Sequence, residues 1–140
     1  MADIIENNLF YLTGALSRKL TNQADDVFAT VGLSSSHALL LWMINDNPNI
    51  QPSQLANQMQ LKPSTITRLV QKLERRGLVE KKSKGRAIAI RCTDKGGGLA
   101  QEIQQKWDQL IQQKKDQLGD RYVEVLSEMI ANAISTVERE

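Results

Sequence analysis

The chain has 140 residues, of which 41% are hydrophobic, 4% aromatic and 24% charged, with a formal net charge of +2. That length suits one domain burying roughly two-thirds of its unfolded surface, and so few aromatics leave the core to aliphatic side chains. The longest unbroken apolar run, Ala38 to Ile44, is too short for a bilayer span, and the single cysteine, Cys92, has no internal disulfide partner. MADIIENNLF carries neither a basic n-region nor an apolar h-region, so no secretory signal is expected. A lone thiol fits a reducing cytoplasm.

From Asp3 to about Thr30, the residues Ile5, Leu9, Leu12, Leu16 and Leu20 mark one helical face, continued by Ala24, Val27 and Val31. Gly32 is expected to end this helix and Ser34 to cap the next. The second helix is apolar all round from Ala38 to Ile44, so it must be covered on several sides. Asn45-Asp46-Asn47-Pro48 stops it.

The informative stretch runs from Gln51 to Cys92. Pro52 opens a short helix at a position where its missing N–H costs nothing, with Leu55, Ala56 and Met59 inward and Leu61 plugging the turn. Pro63 opens a longer helix in the same way. There Ile66, Leu69, Val70 and Leu73 recur at i, i+3, i+4 and i+7, the stripe of a helix buried on one side. Ser64, Arg68, Gln71 and Arg75 fall on the opposite side, with Thr67 and Lys72 on its shoulders. Hydroxyls, an amide and guanidinium groups without an acid are the inventory that reads base edges and holds phosphates. Lys62 at the N-cap is a poor capping residue whose charge opposes the helix dipole. Gly77 closes the helix as a left-handed cap, with Leu78 folding back on Leu73. Two strands, Val79 to Lys82 and Ala87 to Cys92, then flank Ser83-Lys84-Gly85-Arg86. Ile88, Ile90 and Cys92 are expected on a buried face, alternating with Ala89 and Arg91.

Charge concentrates in this stretch. Ten basic and two acidic residues between Lys62 and Arg91 leave +8, which against the chain's +2 puts −6 on the remainder. A basic module on an acidic body points to a polyanionic partner at one place. A merely solvated basic face is the alternative.

Thr93 is expected to cap a long helix reaching about Leu118, with Leu99, Ile103, Trp107, Leu110 and Ile111 on its apolar face. Gly119 and Asp120 break it. In the last helix Val123, Leu126, Ile130, Ala133 and Val137 form a heptad-like stripe, suited to helix–helix association within one subunit or between two.

Taken together, Gln51-Pro-Ser-Gln-Leu-Ala-Asn, Leu61-Lys-Pro-Ser-Thr-Ile-Thr-Arg-Leu-Val-Gln-Lys-Leu-Glu-Arg-Arg-Gly-Leu-Val and Arg86-Ala-Ile-Ala-Ile-Arg-Cys-Thr-Asp-Lys-Gly resemble the multiple-antibiotic-resistance regulator (MarR) family of bacterial winged-helix transcription factors. The similarity covers nearly the whole length. It implies a mainly α fold with a small β-hairpin: one MarR-like domain over 1–140, with a winged helix-turn-helix at 34–93 flanked by dimerisation helices at 1–33 and 94–140. Ile5, Leu9, Leu12, Leu126, Ile130 and Val137 are the candidate dimer contacts. Resemblance further implies a cytoplasmic, nucleoid-associated homodimer on a pseudo-palindromic double-stranded DNA operator. In many relatives a small phenolic or lipophilic ligand releases the DNA, and in some a cysteine senses oxidants. The family's DNA-reading positions carry over to Ser64, Thr65, Thr67, Arg68, Gln71 and Lys72, and to Arg86 at the wing tip, a minor-groove candidate. Arg75 and Lys84 join them on charge and placement.

Four departures from the family pattern stand out: Gln51 where a Thr N-cap is usual, Lys62 where a Ser is, a wing about three residues shorter without the usual aspartate, and Gly96-Gly97-Gly98 where one glycine is usual. At about 1 kcal/mol lost per helical glycine, the last predicts a loose joint between wing and long helix.

Other chemistry is thin. Cys92 reads as a packed thiol rather than a redox sensor, because a sensor needs exposure and a lowered pKa. One histidine (His37) and one cysteine make no metal-ligand cluster. Asp94-Lys95-Gly96-Gly97-Gly98 fits neither the P-loop nor the dinucleotide fingerprint. With no nucleophile–base arrangement either, no enzyme, cofactor or metal is expected. A small aromatic effector would lie between the first helix, the apolar second helix and the start of the long one, near Leu16, Arg18, His37 and Trp42, although Trp42 reads equally well as plain core. The functional rival is a winged-helix adaptor that docks an acidic protein patch without specific DNA binding.

Overall fold

The computed structural model describes residues 2–138. Its elements are α1 (Ala2–Glu6), α2 (Leu9–Phe28), a 3-10 turn (Ala29–Val31), α3 (Ser35–Asp46), α4 (Pro52–Met59), α5 (Pro63–Arg75), β1 (Val79–Lys84), β2 (Ala87–Cys92), α6 (Asp94–Leu118) and α7 (Asp120–Val137). This is the mainly helical winged-helix architecture read from the sequence. The chain divides into two compact units, Met1–Gln104 and Gln105–Glu140.

In the first unit α3 is the central element, packed against α2, α5 and β2. Its apolar circumference explains this: Ala38, Leu40, Leu41 and Ile44 are fully buried. Ser34 caps it, its Oγ accepting the His37 N–H at 3.2 Å. A second cap comes from α2, where the Asp25 carboxylate accepts the Ser35 N–H at 2.7 Å. The hydrogen bonds from the Ser35 side chain and backbone hold the Asp25 carboxyl below its ordinary value.

The first helix is shorter than its periodicity suggests. It breaks at Asn7-Asn8, where the Asn8 side chain accepts the Tyr11 N–H at 3.0 Å and starts α2 afresh. Downstream, Gly32 supplies the left-handed cap at φ +73°. Phe28, outside the stripe, is the fully buried residue of this segment, whereas Val27 and Val31 are half-buried. Leu9, Leu12, Leu16 and Leu20 stay exposed.

The hairpin also differs in detail. β1 runs to Lys84, and the register pairs Lys84 with Ala87, leaving only Gly85-Arg86 as the turn. Gly85 at φ +62° occupies the first central position, as in a type II′ turn. The Ile90 N–H donates to the Ile50 carbonyl at 2.9 Å, tying the base of the wing to the segment before α4. Burial in β2 does not alternate: Ile88 is 45% exposed while its neighbours Ala89 and Ile90 are buried. Distance from the body, more than side of the pleat, decides burial here, because Ile88 lies beyond the last covered rung.

α6 starts at the Thr93 cap, whose Oγ1 accepts the Gly96 N–H at 3.1 Å. At Gly96 the joint with the wing is a close contact rather than slack: a Cβ there would lie 1.8 Å from the Leu78 carbonyl oxygen. Gly98 has open space around it.

In the second unit, Gly119 at φ +98° separates α6 from α7. Leu110 is buried, Val123 and Leu126 are half-buried, and no residue of α7 is fully covered. No single helix among the described residues is long and apolar enough to cross a membrane.

Candidate nucleic-acid interface

Helix α5 is amphipathic in the strict sense. Ile66, Val70 and Leu73 are buried to within 1% of complete coverage, and α4, α3 and β1 pack around the helix. Those contacts fix which side points outward. Ser64, Arg68, Gln71 and Arg75 are exposed there and, among the described residues, their side chains have no hydrogen-bond or ion-pair partner. Thr67 is exposed, but its hydroxyl donates to the Pro63 carbonyl at 3.0 Å, leaving its methyl and lone pairs outward. Thr65 and Lys72 are half-buried on the flanks. An uncommitted row of donors on a rigid helix is the geometry that reads a groove.

Both ends of α5 behave as the sequence predicts. Lys62 occupies the N-cap without a side-chain cap, ahead of Pro63. At the other end the Leu78 N–H donates to the Leu73 carbonyl and the Gly77 N–H to the Glu74 carbonyl, both at 2.9 Å. That is a Schellman closure around the left-handed Gly77. On the wing, Arg86 is exposed at the tip. Lys84 is part of β1, but its side chain lies outside the described residues. Glu74 and Lys81 approach to 3.7 Å across the helix–wing junction, a solvent-exposed pair of small energetic weight.

The four candidate effector residues lie on two helices. Leu16 and Arg18 are exposed on α2, whereas His37 and Trp42 are half-buried on α3. The His37 Nδ1 lies 2.6 Å from the Oγ of Ser34, the residue that caps its own helix. Burial first, then the charges of Lys72 and Arg76, hold the His37 pKa below the ordinary value. The Trp42 Nε1 is buried without a hydrogen-bond partner. One surface cavity, about 430 Å³, is lined by Glu80, Arg91, Cys92, Thr93 and Asp94. Another of about 520 Å³ lies on α7 beside Tyr122, Leu126 and Met129. Neither is lined by Leu16, Arg18, His37 or Trp42.

Cys92 is half-buried, with its Sγ 3.7 Å from the Leu41 carbonyl, and burial pushes the thiol up to about 11. Such a thiol carries negligible thiolate near neutral pH and behaves as a packing group. Among the described residues no group of three His, Cys, Asp or Glu side chains could hold a metal ion.

Arg76 is the residue that sequence reasoning missed. It entered only as one of ten basic charges, yet its Nη1 donates to the Gly32 carbonyl at 2.8 Å and its Nη2 to the Val31 carbonyl at 3.2 Å. Partners so far away in sequence leave no local signal.

Comparison with known proteins agrees with this geometry. The MarR family model matches residues 33–85. The transcriptional repressor IacR of Pseudomonas putida is 24% identical over 92% of this chain and 79% of its own length. A MarR protein from Peptoclostridium difficile superposes with a TM-score of 0.84 at 25% identity, covering 95% of this chain and 89% of that one. The S. aureus MepR–DNA complex superposes with a TM-score of 0.82 at 19% identity, covering 93% and 98%.

Proposed function

We propose that the chain is a transcriptional regulator of the MarR family, a dimeric repressor that binds a pseudo-palindromic double-stranded operator and is released by a small phenolic or lipophilic ligand. The observation that carries the reading is the outward side of α5: exposed, basic and free of acids, with Ser64, Arg68, Gln71 and Arg75 lacking side-chain partners among the described residues. Ser64, Thr65, Thr67, Arg68, Gln71 and Lys72 read or flank the major groove. Arg75, Lys84 and Arg86 supply phosphate or minor-groove contacts. Two such helices would enter successive major grooves about 34–36 Å apart.

Dimerisation is supported by apolar side chains left exposed or half-buried in the terminal helices. Ile5, Leu9 and Leu12 are exposed in the first unit, and Ile130 and Val137 in the second, where Leu126 is half-buried. The repressor sense follows the Pseudomonas putida relative, a transcriptional repressor. An effector is supported by the unpartnered indole N–H of Trp42, a donor that a ligand oxygen could satisfy. The cytoplasm, at the nucleoid, is the corresponding place of work.

Selection of preferred duplexes from a random pool, followed by binding across a salt series, tests the proposal. Expected is a discrete two-fold-related consensus, with affinity dropping by about 10³–10⁵-fold between roughly 50 and 200 mM salt for six to ten phosphate contacts. No consensus and a flat salt response, with binding instead to an acidic protein surface, would replace it with the adaptor reading. Thermal shift against a panel of aromatic acids, with and without the selected DNA, tests ligand release. Sedimentation of the full chain tests the dimer.

A further inference from the structure

Two adjacent arginines end the recognition helix, and their surroundings differ. Arg75 is exposed and has no partner among the described residues, whereas Arg76 is half-buried, and both terminal nitrogens of its guanidinium point at backbone carbonyls of the segment that follows α2. Those carbonyls belong to Val31 and Gly32, at the C-terminal end of the 3-10 turn, where partial negative charge favours a cation. Gly32 keeps the approach open: a Cβ there would stand 3.3 Å from the Arg76 Nη1, on a backbone already at φ +73°.

The same end of α5 is held from the other side by the start of α6. Three successive carbonyls accept from it: Arg76 from the Lys95 ammonium at 3.1 Å, Gly77 from the Thr93 hydroxyl at 2.6 Å, and Leu78 from the Thr93 N–H at 3.1 Å. A helix gripped at one end from two directions has its tilt set there. On the α2 side the grip is a single forked cation.

We infer that Arg76 is a positioning residue: its guanidinium braces the C-terminal end of α5 against the close of α2 and sets the angle at which Arg68 and Gln71 are presented, without contacting DNA itself. A guanidinium whose two terminal nitrogens are engaged on carbonyls is not offered in the planar fork geometry that grips a phosphate. The inference rests on the DNA-binding reading, but the brace has a readout that needs no DNA.

The test compares R75A, R76A and R76K in the full chain. R76A is expected to lower affinity for the selected duplex by about 2- to 30-fold, the range found for residues that modulate a site through a physical network. Its salt slope and its affinity for random-sequence DNA should stay as in the wild type. R76K keeps the charge but not the fork, so it should behave like R76A. R75A is the internal control: it should weaken both duplexes and lower the salt slope by about one. If R76A instead lowers the slope by about one and R76K restores it, Arg76 is a phosphate contact and the inference is overturned. Amide hydrogen exchange of the free protein decides independently. Faster exchange at Leu33, whose N–H donates to the Phe28 carbonyl, is expected in R76A and R76K at temperatures where both stay folded. Unchanged exchange there sinks the brace even if DNA binding suffers. Faster exchange in a chain whose wild type selects no duplex would keep the brace and remove the DNA-binding reading.

Discussion

The inward and outward sides of α5 differ in what their side chains are committed to. Inward, Ile66, Val70 and Leu73 are enclosed and each contributes to stability through contacts already made. Outward, Arg68, Gln71 and Arg75 have no hydrogen-bond or ion-pair partner among the described residues, so removing them breaks no polar contact described in the fold. The difference teaches where each kind of damage should register. Inward substitutions should appear in unfolding, outward ones in binding.

Leu73→Ala offers the largest effect. Truncating this fully buried side chain should cost about 2–5 kcal/mol, read as a lower denaturant midpoint, with DNA affinity intact in the fraction that remains folded. A full-strength midpoint would break the division at its strongest point. Gly96→Ala should cost about 1–3 kcal/mol by overpacking, since the new methyl meets the Leu78 carbonyl. Gly98→Ala, in open space, should stabilise by up to about 1 kcal/mol. The opposite signs are the measurement, made by paired thermal melts. On the outward side, Arg68→Ala should leave the melt unchanged within about 0.5 kcal/mol while costing about 1–3 kcal/mol in operator affinity and relaxing base preference at one position.

The smallest effect belongs to His37, on α3. Burial first, then Lys72 and Arg76, keep its folded-state pKa below 6.5. The unfolded chain therefore takes up a proton below about pH 6.5 that the folded chain resists, so stability falls as pH drops from there toward the folded-state value. His37→Gln should flatten that limb in denaturant midpoints taken between about pH 7.5 and 5.5. An unaltered slope would show that the acid sensitivity lies elsewhere.

Much of this arrangement was legible because its signals are local. The stripe of α5, the left-handed glycines 32, 77 and 119, and the caps at Ser34 and Thr93 each need only a few consecutive residues. What was not legible depends on distance or competition. Apolar periodicity runs through Asn7-Asn8 without a gap, yet the Asn8 side chain restarts the helix there. Strand alternation says which way Ile88 points but not that the body ends before reaching it. The glycine triplet reads as slack, although one member is required by a carbonyl 18 residues earlier in the chain. As for the outward row of α5, its residue types were readable from spacing alone. The guanidinium that aims it was not, because its partners are 44 and 45 residues away.

The single rung between Ile50 and Ile90 makes the hairpin a cantilever. Three residues of strand, Ala87, Ile88 and Ala89, separate that anchor from Arg86, an overhang of about 13 Å over the four residue steps, so a ten-degree rocking at the base would sweep the tip through about 2 Å. Shortening the overhang by one cross-strand pair would stiffen the probe but reduce its reach into a groove, a trade that wing length alone can tune.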